Sequence, residues 1–239
     1  MPELNTFSIV ARCERSGELG VAVATAVPAV GSMCPYVVAG VGAASTQSWV
    51  NPYLAIDALA LMAQGRAASE ALAAVLAQDA EAAGRQVGVI GARGPGFAFT
   101  GTACTPWCSQ LTGTDFAIQG NMLVGEATLV SMRDAWHRDP AADLAERLMC
   151  ALEAGDAAGG DFRGKQSAAL KVVGTEAYAA LDLRVDEHRT PVAELRRILS
   201  IARRQLMPFV QAMPRRDSPG RAMPADVTQM LLKPPGERS

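Results

Sequence analysis

The stretch TFSIVARCERSGELGVAVAT, residues 6–25, predicts a pair of antiparallel strands near the start of the chain. Phe7, Ile9 and Ala11 fall on one face, which is the period-two pattern of a β-strand. The turn-forming residues 16–18 (SGE) separate this strand from a second apolar run, residues 19–25. The sequence therefore predicts an N-terminal β-hairpin.

Blocks of further strands and helices follow this hairpin. Strand patterns are predicted at 36–47, 86–90, 97–101, 116–119, 167–173 and 180–185. Helical patterns are predicted at 51–64, 70–81, 128–137, 143–154 and 192–206. Pro52 suits the first turn of its helix, and Ser69 is the expected N-cap of the next one. Because strands and helices come in blocks rather than in strict alternation, the sequence predicts an α+β fold built in layers.

The overall composition excludes several classes of protein. The chain has 239 residues, a formal net charge of −2 and 49% hydrophobic residues. This balance is unlike that of a disordered chain or a nucleic-acid binder. No apolar run reaches the roughly 18–20 residues that cross a bilayer, and no secretory signal is expected at Met1–Asn5. His137 and His188 are the only histidines, so a multi-histidine metal site is excluded and histidine-dependent catalysis has only two candidates.

The five cysteines are expected to be reduced thiols of a cytoplasmic protein, because their number is odd and no secretion signal is expected. Cys104 and Cys108 have C-x3-C spacing, but no second ligand pair completes a zinc site. Inert, buried thiols are the default interpretation. A thiol enzyme that uses Cys34 or Cys104 is an alternative hypothesis.

Polar residues at strand ends and in one glycine-rich loop are candidate site residues. Gln47 and Asn121 each lie at the end of a predicted strand, where they could supply amide donors to an oxyanion or simply shape a turn. The loop GGDFRGKQS, residues 159–167, lies between a helix and a strand, a position that often carries function. A structural turn is the alternative for this loop. The segment DLRVD, residues 182–186, fits either a site or an ordinary ion pair on an edge strand.

The end of the chain differs in character from the rest. Residues 207–239 contain six of the fourteen prolines: Pro208, Pro214, Pro219, Pro224, Pro234 and Pro235. We expect one domain over residues 1–206, followed by a proline-rich tail that is disordered or draped over the domain. One short helical turn is predicted near residues 226–232.

Several segments together resemble one known family, over about residues 6–205. They are residues 6–12 (TFSIVAR), 17–24 (GELGVAVA), 40–43 (GVGA), 46–47 (TQ), 51–52 (NP), 85–89 (RQVGV), 99–101 (FTG), 119–121 (QGN), 151–155 (ALEAG), 159–161 (GGD), 163–164 (RG), 166–170 (QSAAL), 183–186 (LRVD) and 191–195 (PVAEL). In this order they are similar to the DUF1028 family, which is grouped with the N-terminal nucleophile (Ntn) hydrolases.

The resemblance implies a four-layer αββα sandwich and cleavage of an amide bond without cofactor or metal. In Ntn hydrolases the first residue of the mature chain attacks a carbonyl, and its own α-amine, which titrates near ~7.7–8, is the base. The matching nucleophile is Thr6, and Asn121 or a backbone N–H would hold the oxyanion. Five further residues are expected to bind substrate: Ser8, Gln47, Asp161, Arg163 and Gln166.

One feature departs from many members of the family, because Met1–Asn5 precedes Thr6. Thr6 has a free amine only if the Asn5–Thr6 bond is cut or if the true start differs. We therefore expect an amidohydrolase acting on a small amide, cyclic amide or acylated amino compound. The alternative is a non-catalytic protein that binds a small molecule on the same fold. A homodimer or higher homo-oligomer is expected, with neither nucleic acid nor membrane as a partner.

Overall fold

A computed structural model describes residues 6–220 and 222–238, in which ten strands and seven α-helices are found. The strands are β1 (Thr6–Arg12), β2 (Leu19–Thr25), β3 (Pro35–Val38), β4 (Gly42–Ser48), β5 (Arg85–Gly91), β6 (Phe97–Thr100), β7 (Ser109–Thr112), β8 (Phe116–Asn121), β9 (Ser167–Val173) and β10 (Ala179–Val185). The α-helices are α1 (Pro52–Ala63), α2 (Ala68–Leu76), α3 (Ala127–Arg138), α4 (Leu144–Ala157), α5 (Pro191–Gln205), α6 (Met207–Ala212) and α7 (Ala225–Leu232).

The strands form two antiparallel sheets. One has six strands in the order β10-β9-β2-β1-β8-β7, and the other has four in the order β3-β4-β5-β6. The predicted hairpin is confirmed, since Thr6 pairs with Thr25 and Arg12 pairs with Leu19. Its two strands are the central pair of the six-stranded sheet, and every residue of both strands is buried.

The alternation of residues along β1 explains how the layers pack. Phe7 and Ile9 belong to the large core shared with α3, α4 and α5, which cover one face of the six-stranded sheet. Val10 points the other way and packs with Ala43 and Ile90 of the four-stranded sheet. Helices α1 and α2 cover the outer face of that second sheet. The packing order is therefore helices, sheet, sheet, helices, and the α+β class predicted from the sequence is confirmed.

Two local predictions are wrong, and one strand was not predicted. The single strand predicted at 36–47 is two strands, β3 and β4, because Gly40 adopts a φ of 68° in the turn between them. Helix α2 begins before Ser69, with Ala67 as an N-cap that makes no side-chain hydrogen bond. Strand β7 was not predicted, because its sequence SQLT is short and lacks an apolar alternation.

The described part of the proline-rich segment lies on the domain. Helix α7 confirms the helical turn predicted near residues 226–232, whereas α6 was not expected. Leu206 and Met207 pack against the large core, and Val227 is buried. Tyr178 Oη donates a hydrogen bond of 3.0 Å to the carbonyl of Pro214. Side-chain packing and hydrogen bonding therefore hold this segment in place.

Two kinds of feature are absent from the described residues. No helix among residues 6–220 and 222–238 is long and apolar enough to cross a membrane. The same residues contain no group of three or more His, Cys, Asp or Glu side chains that could hold a metal ion.

A charged cluster joins helices α4 and α5. Arg196 donates hydrogen bonds to Glu153 (2.8 and 2.7 Å) and to Glu146 (2.8 Å). The hydrogen bond from Arg196 is the main cause that lowers the pKa of Glu146 from 4.5 to about 2, and the hydrogen bond from Cys150 and the positive charge of Arg203 lower it further. Because the pKa is depressed in the folded chain, this carboxylate stabilises the fold at pH values above 4.5, and the stabilisation is lost as the pH falls towards 2.

Arg196→Met is therefore expected to lower the free energy of unfolding by about 1–2 kcal/mol at pH 6, because two carboxylates lose a charged donor. The loss should shrink between pH 4.5 and pH 2, as Glu146 becomes protonated in the parent protein. Urea denaturation over this pH range measures it. Arg197→Met removes an exposed pair with Glu194 on the same helix and is the control, for which little change is expected. An equal loss at pH 6 and pH 2 would contradict this assignment.

Candidate functional site

The candidate site lies where β1 begins, at the centre of the six-stranded sheet. Thr6 is directly opposite Thr25 at the end of β2 and directly opposite Asn121 at the end of β8. Thr6 Oγ1 donates a hydrogen bond of 3.2 Å to Thr25 Oγ1. All three side chains are fully buried. The antiparallel order of the sheet thus gathers residues that are distant in sequence at one end of three adjacent strands.

The four-stranded sheet adds two glutamines at the same end. Gln47, near the end of β4, is paired with Gln86, near the start of β5. Gln47 Nε2 donates to the carbonyl oxygens of Thr6 (3.2 Å) and Gln119 (3.3 Å), and to Gln86 Oε1 (2.8 Å). One amide therefore ties the second sheet to the backbone of the first residue of β1.

The same hydrogen-bonded network extends through Ser8. Its hydroxyl donates to Gln47 Oε1 at 2.5 Å and accepts a hydrogen bond from Gln119 Nε2 at 2.6 Å. Ser8, Gln47 and Gln119 are all fully buried. Buried polar groups are costly unless they are hydrogen-bonded, and mutual bonds offset most of that cost here, although Gln119 Oε1 has no hydrogen-bond partner among the described residues. Because these side chains are uncharged, the network fixes positions rather than supplying charge.

The glycine-rich loop approaches the end of β8. Gly159 and Gly160 have φ values of 110° and 58°, and a Cβ on Gly160 would lie 2.8 Å from a ring carbon of Phe7. Asp161 forms a β-bridge with Leu123, two residues beyond Asn121. The glycines thus allow the loop to lie against β1 and to continue the sheet beside the candidate site.

The three predicted site residues of this loop have different surroundings. Asp161 is buried, accepts a hydrogen bond from the backbone N–H of Arg163 (2.8 Å), and forms an ion pair with the Arg163 side chain (3.4 Å). The Arg163 side chain is exposed. Gln166 contributes its backbone N–H, which donates to the carbonyl of Thr25 at 2.7 Å. Asp161 and Gln166 therefore border the site, with Arg163 on its outer side.

The residues that directly follow two of the predicted site residues have left-handed backbone conformations. Ser48 follows Gln47 with a φ of 64°, and Met122 follows Asn121 with a φ of 50°. Such conformations cost about 1–3 kcal/mol for residues other than glycine and cluster at functional sites. This clustering makes the strand ends candidates for a binding or catalytic role.

A surface cleft lies at the same end of the four-stranded sheet. It has a volume of about 310 Å³, and its lining includes Trp49, Arg85 and Ala103. Trp49 follows the last residue of β4, and Arg85 begins β5. The cleft therefore adjoins the strand ends that carry Gln47 and Gln86.

Sequence analysis missed Gln86 and Thr25 as parts of this site. Gln86 links five groups. Its Nε2 donates to Thr100 Oγ1 and to the carbonyls of Gly120 (2.9 Å) and Ser109 (3.2 Å), and its Oε1 accepts from Gln47 Nε2 (2.8 Å) and Asn121 Nδ2 (3.0 Å). A signal did exist, since Gln86 directly precedes the apolar run VGVIG in a strand whose residues are all buried. Polar residues in such strands need a partner across the sheet interface.

The thiol hypothesis gains no support at Cys34. Burial raises the pKa of this thiol to about 12, so the reactive thiolate is suppressed at neutral pH. Cys104 is also buried, and its Sγ donates to the carbonyl of Arg85 at 3.3 Å. All five cysteines are free thiols.

The segment 182–186 forms ordinary ion pairs on the edge strand β10. Lys171 and Asp182 are 2.9 Å apart, and Arg184 and Asp186 are also 2.9 Å apart. These ion pairs explain why this face of the strand is charged, so no functional site is needed to explain it.

Comparison with known proteins identifies the family to which this chain belongs. The profile described as a family of unknown function, DUF1028, matches residues 6–195. The chain belongs to the DUF1028 family. The matched span begins at Thr6, and it includes every residue of the network described above. Among curated proteins, none matches this chain.

A solved structure of the same family is similar throughout. The crystal structure of protein SPO2555 from Silicibacter pomeroyi, a DUF1028 protein, is 26% identical to this chain with a TM-score of 0.82. The match covers 92% of this chain and 100% of that one. The described fold is therefore shared with a DUF1028 protein over nearly the full length.

Proposed function

We propose that this DUF1028 protein is an Ntn-type amidohydrolase in which Thr6 is the nucleophile. The observation that carries the proposal is the position of Thr6, which begins the central strand β1 between Thr25 and Asn121. The packing order of helices, two antiparallel sheets and helices supports the Ntn assignment. The proposed substrate is a small amide, cyclic amide or acylated amino compound.

The proposed chemistry uses the Thr6 residue as both nucleophile and base. Cutting the Asn5–Thr6 bond frees the α-amine; Met1–Asn5 lie outside the described residues. The amine takes the proton of the Thr6 hydroxyl while Oγ1 forms a bond to the substrate carbonyl carbon. The C–N bond then breaks, the leaving nitrogen takes the proton, and water hydrolyses the resulting ester of Thr6. The amine suits this role because it titrates near ~7.7–8.

Two neighbours would position Thr6 in this reaction. Gln47 holds the Thr6 carbonyl at 3.2 Å, and Thr25 accepts a hydrogen bond from the Thr6 hydroxyl at 3.2 Å. A nucleophile held by such contacts loses little further freedom on reaching the transition state.

The test is covalent labelling of the purified full chain with a β-lactone, which acylates hydroxyl nucleophiles. We expect N-terminal sequencing to begin at Thr6 and peptide mass analysis to place the acyl group on Thr6. Thr6→Ala should abolish labelling, whereas the matched variant Thr25→Ala removes the same group from the adjacent strand and should retain it. A chain that keeps Met1 and gains no acyl group at Thr6 would rule out the proposal.

A second candidate is a non-catalytic protein that binds a small molecule. It is favoured by the complete burial of Thr6 in the chain. The two candidates differ in a simple result, because a binding protein would show ligand-induced increases in melting temperature that persist in Thr6→Ala without any acylation.

A further inference from the structure

We infer that Asn121 presents its amide oxygen, not its nitrogen, to the ligand, so that the group bound beside Thr6 is an N–H donor of an amide. The inference rests on the proposed function only for the location of the site. It assigns a substrate class, amides that retain a hydrogen on nitrogen, and it changes the role of Asn121 from oxyanion donor to acceptor.

The orientation of Gln86 is the first step. Its Nε2 is 2.9 Å from the carbonyl oxygen of Gly120 and 3.2 Å from that of Ser109. Carbonyl oxygens only accept hydrogen bonds, so the NH2 end of Gln86 must face them. The oxygen of Gln86 therefore faces the other side.

The orientation of Gln86 fixes that of Asn121. Gln86 Oε1 accepts hydrogen bonds from Gln47 Nε2 at 2.8 Å and from Asn121 Nδ2 at 3.0 Å. Because Oε1 cannot donate, the atom of Asn121 that faces it is the nitrogen. Asn121 Oδ1 is then turned away, fully buried, and without a hydrogen-bond partner among the described residues. An acceptor left in this state destabilises the site, and a bound donor would remove that cost.

The position of Asn121 beside Thr6 indicates which group of the ligand is the donor. Thr6 and Asn121 are directly paired across β1 and β8. Thr6 lies on the face of β1 whose alternate residues, Ser8 and Val10, contact the four-stranded sheet, and Asn121 Nδ2 donates to Gln86 of that sheet. Paired residues on one face have Cβ atoms about 4.5–5.5 Å apart. An amide whose carbonyl carbon is at Thr6 Oγ1 therefore has its own nitrogen within reach of Asn121. The oxyanion is then left to a backbone N–H.

The test compares probes that differ only in their hydrogen-bonding group: hexanamide, N,N-dimethylhexanamide, hexylammonium and hexanoate. Their six-carbon chain suits the exposed Val124 and Phe162, which lie beside the loop at Asp161. Binding is measured by NMR titration of the full chain and of Thr6→Ala, so that neither turnover nor acylation is needed. The result is therefore independent of whether Thr6 is a nucleophile.

We expect hexanamide to bind at least about tenfold more tightly than its dimethyl analogue, which corresponds to one buried hydrogen bond. Asn121→Leu should reduce this ratio to about one. Gln86→Leu leaves Asn121 in place but frees it to rotate, so the ratio should also fall while hexanamide still binds. Stronger binding of hexylammonium than of hexanamide would assign an amine as the ligand and overturn the amide assignment.

The series on the unmodified protein keeps the inference testable if Asn121→Leu fails to fold. Equal affinity for hexanamide and N,N-dimethylhexanamide would overturn the inference. So would a preference for hexanoate, which requires the nitrogen of Asn121 to face the ligand. Failure of hexanamide to bind at all would overturn it too, whereas a chain that binds hexanamide but is never acylated would contradict the proposed function alone.

Discussion

If the proposed function holds, Thr6→Ala is expected to lower kcat/KM for amide hydrolysis by at least about a thousandfold, because it removes the atom proposed to form the acyl-enzyme. The change is small in volume and leaves the backbone pairing of β1 with β2 and β8 intact. The measurement is release of nitroaniline from hexanoyl p-nitroanilide, a secondary amide of the class assigned above. Thr6→Ser keeps a hydroxyl and should retain much more activity than Thr6→Ala.

Thr25→Ala separates chemistry from structure at this position. It removes a hydroxyl that is 3.2 Å from that of Thr6 and equally buried, so its effect on stability should be similar. Its effect on kcat/KM should stay within about tenfold, since one neutral hydrogen bond is lost.

The proposed base gives a second prediction, for the parent protein. Its kcat/KM should rise with pH up to ~8, as the proposed α-amine of Thr6 loses its proton. Unchanged activity in Thr6→Ala would reject the assignment.

The outer layers of the fold could be predicted from the sequence, and the inner network could not. The alternation of Phe7, Ile9 and Ala11 reports which face of β1 meets the helices, because burial against a helix selects apolar side chains. The opposite face carries Thr6 and Ser8, which look like solvent-facing residues in the sequence. They are buried only because a second sheet covers them, and the pairing of sheets leaves no periodic signal.

The site shows the same division. Thr6, Gln47 and Asn121 could be predicted because strand ends and the family resemblance pointed to them. The polar residue Gln86 was visible before the apolar run of its strand, but its partners could not be predicted, because its role depends on pairing with Gln47, which is 39 residues away in sequence. The direction in which each amide points depends on carbonyl oxygens of the other sheet, which no local pattern encodes. Long-range contacts therefore determine which atoms of these amide side chains can donate or accept hydrogen bonds in the site.

Gly88→Ala is expected to lower the free energy of unfolding by about 3 kcal/mol, at the upper end of the usual cost of overpacking a core. A Cβ at this position would lie 2.0 Å from Gln119 Oε1 and 2.4 Å from its Cδ. Gln119 cannot move aside freely, because it is fully buried and donates to Ser8 at 2.6 Å. In a chain of this size the loss corresponds to about 6–12 °C in melting temperature, measured by calorimetry.

Two further variants show whether the contact with Gln119 is the cause. Gly174→Ala is the matched control, because a Cβ there meets no atom within 4 Å, and its effect should stay within about 0.5 kcal/mol. In the double variant Gly88→Ala with Gln119→Ala the clash is gone, so about 1–2 kcal/mol should be regained relative to the sum of the single changes. Strict additivity would mean that the two sheets can move apart to admit the methyl group. Ser8 and Gln47 would then no longer be held in fixed positions by close packing, and the site would depend on hydrogen bonds alone.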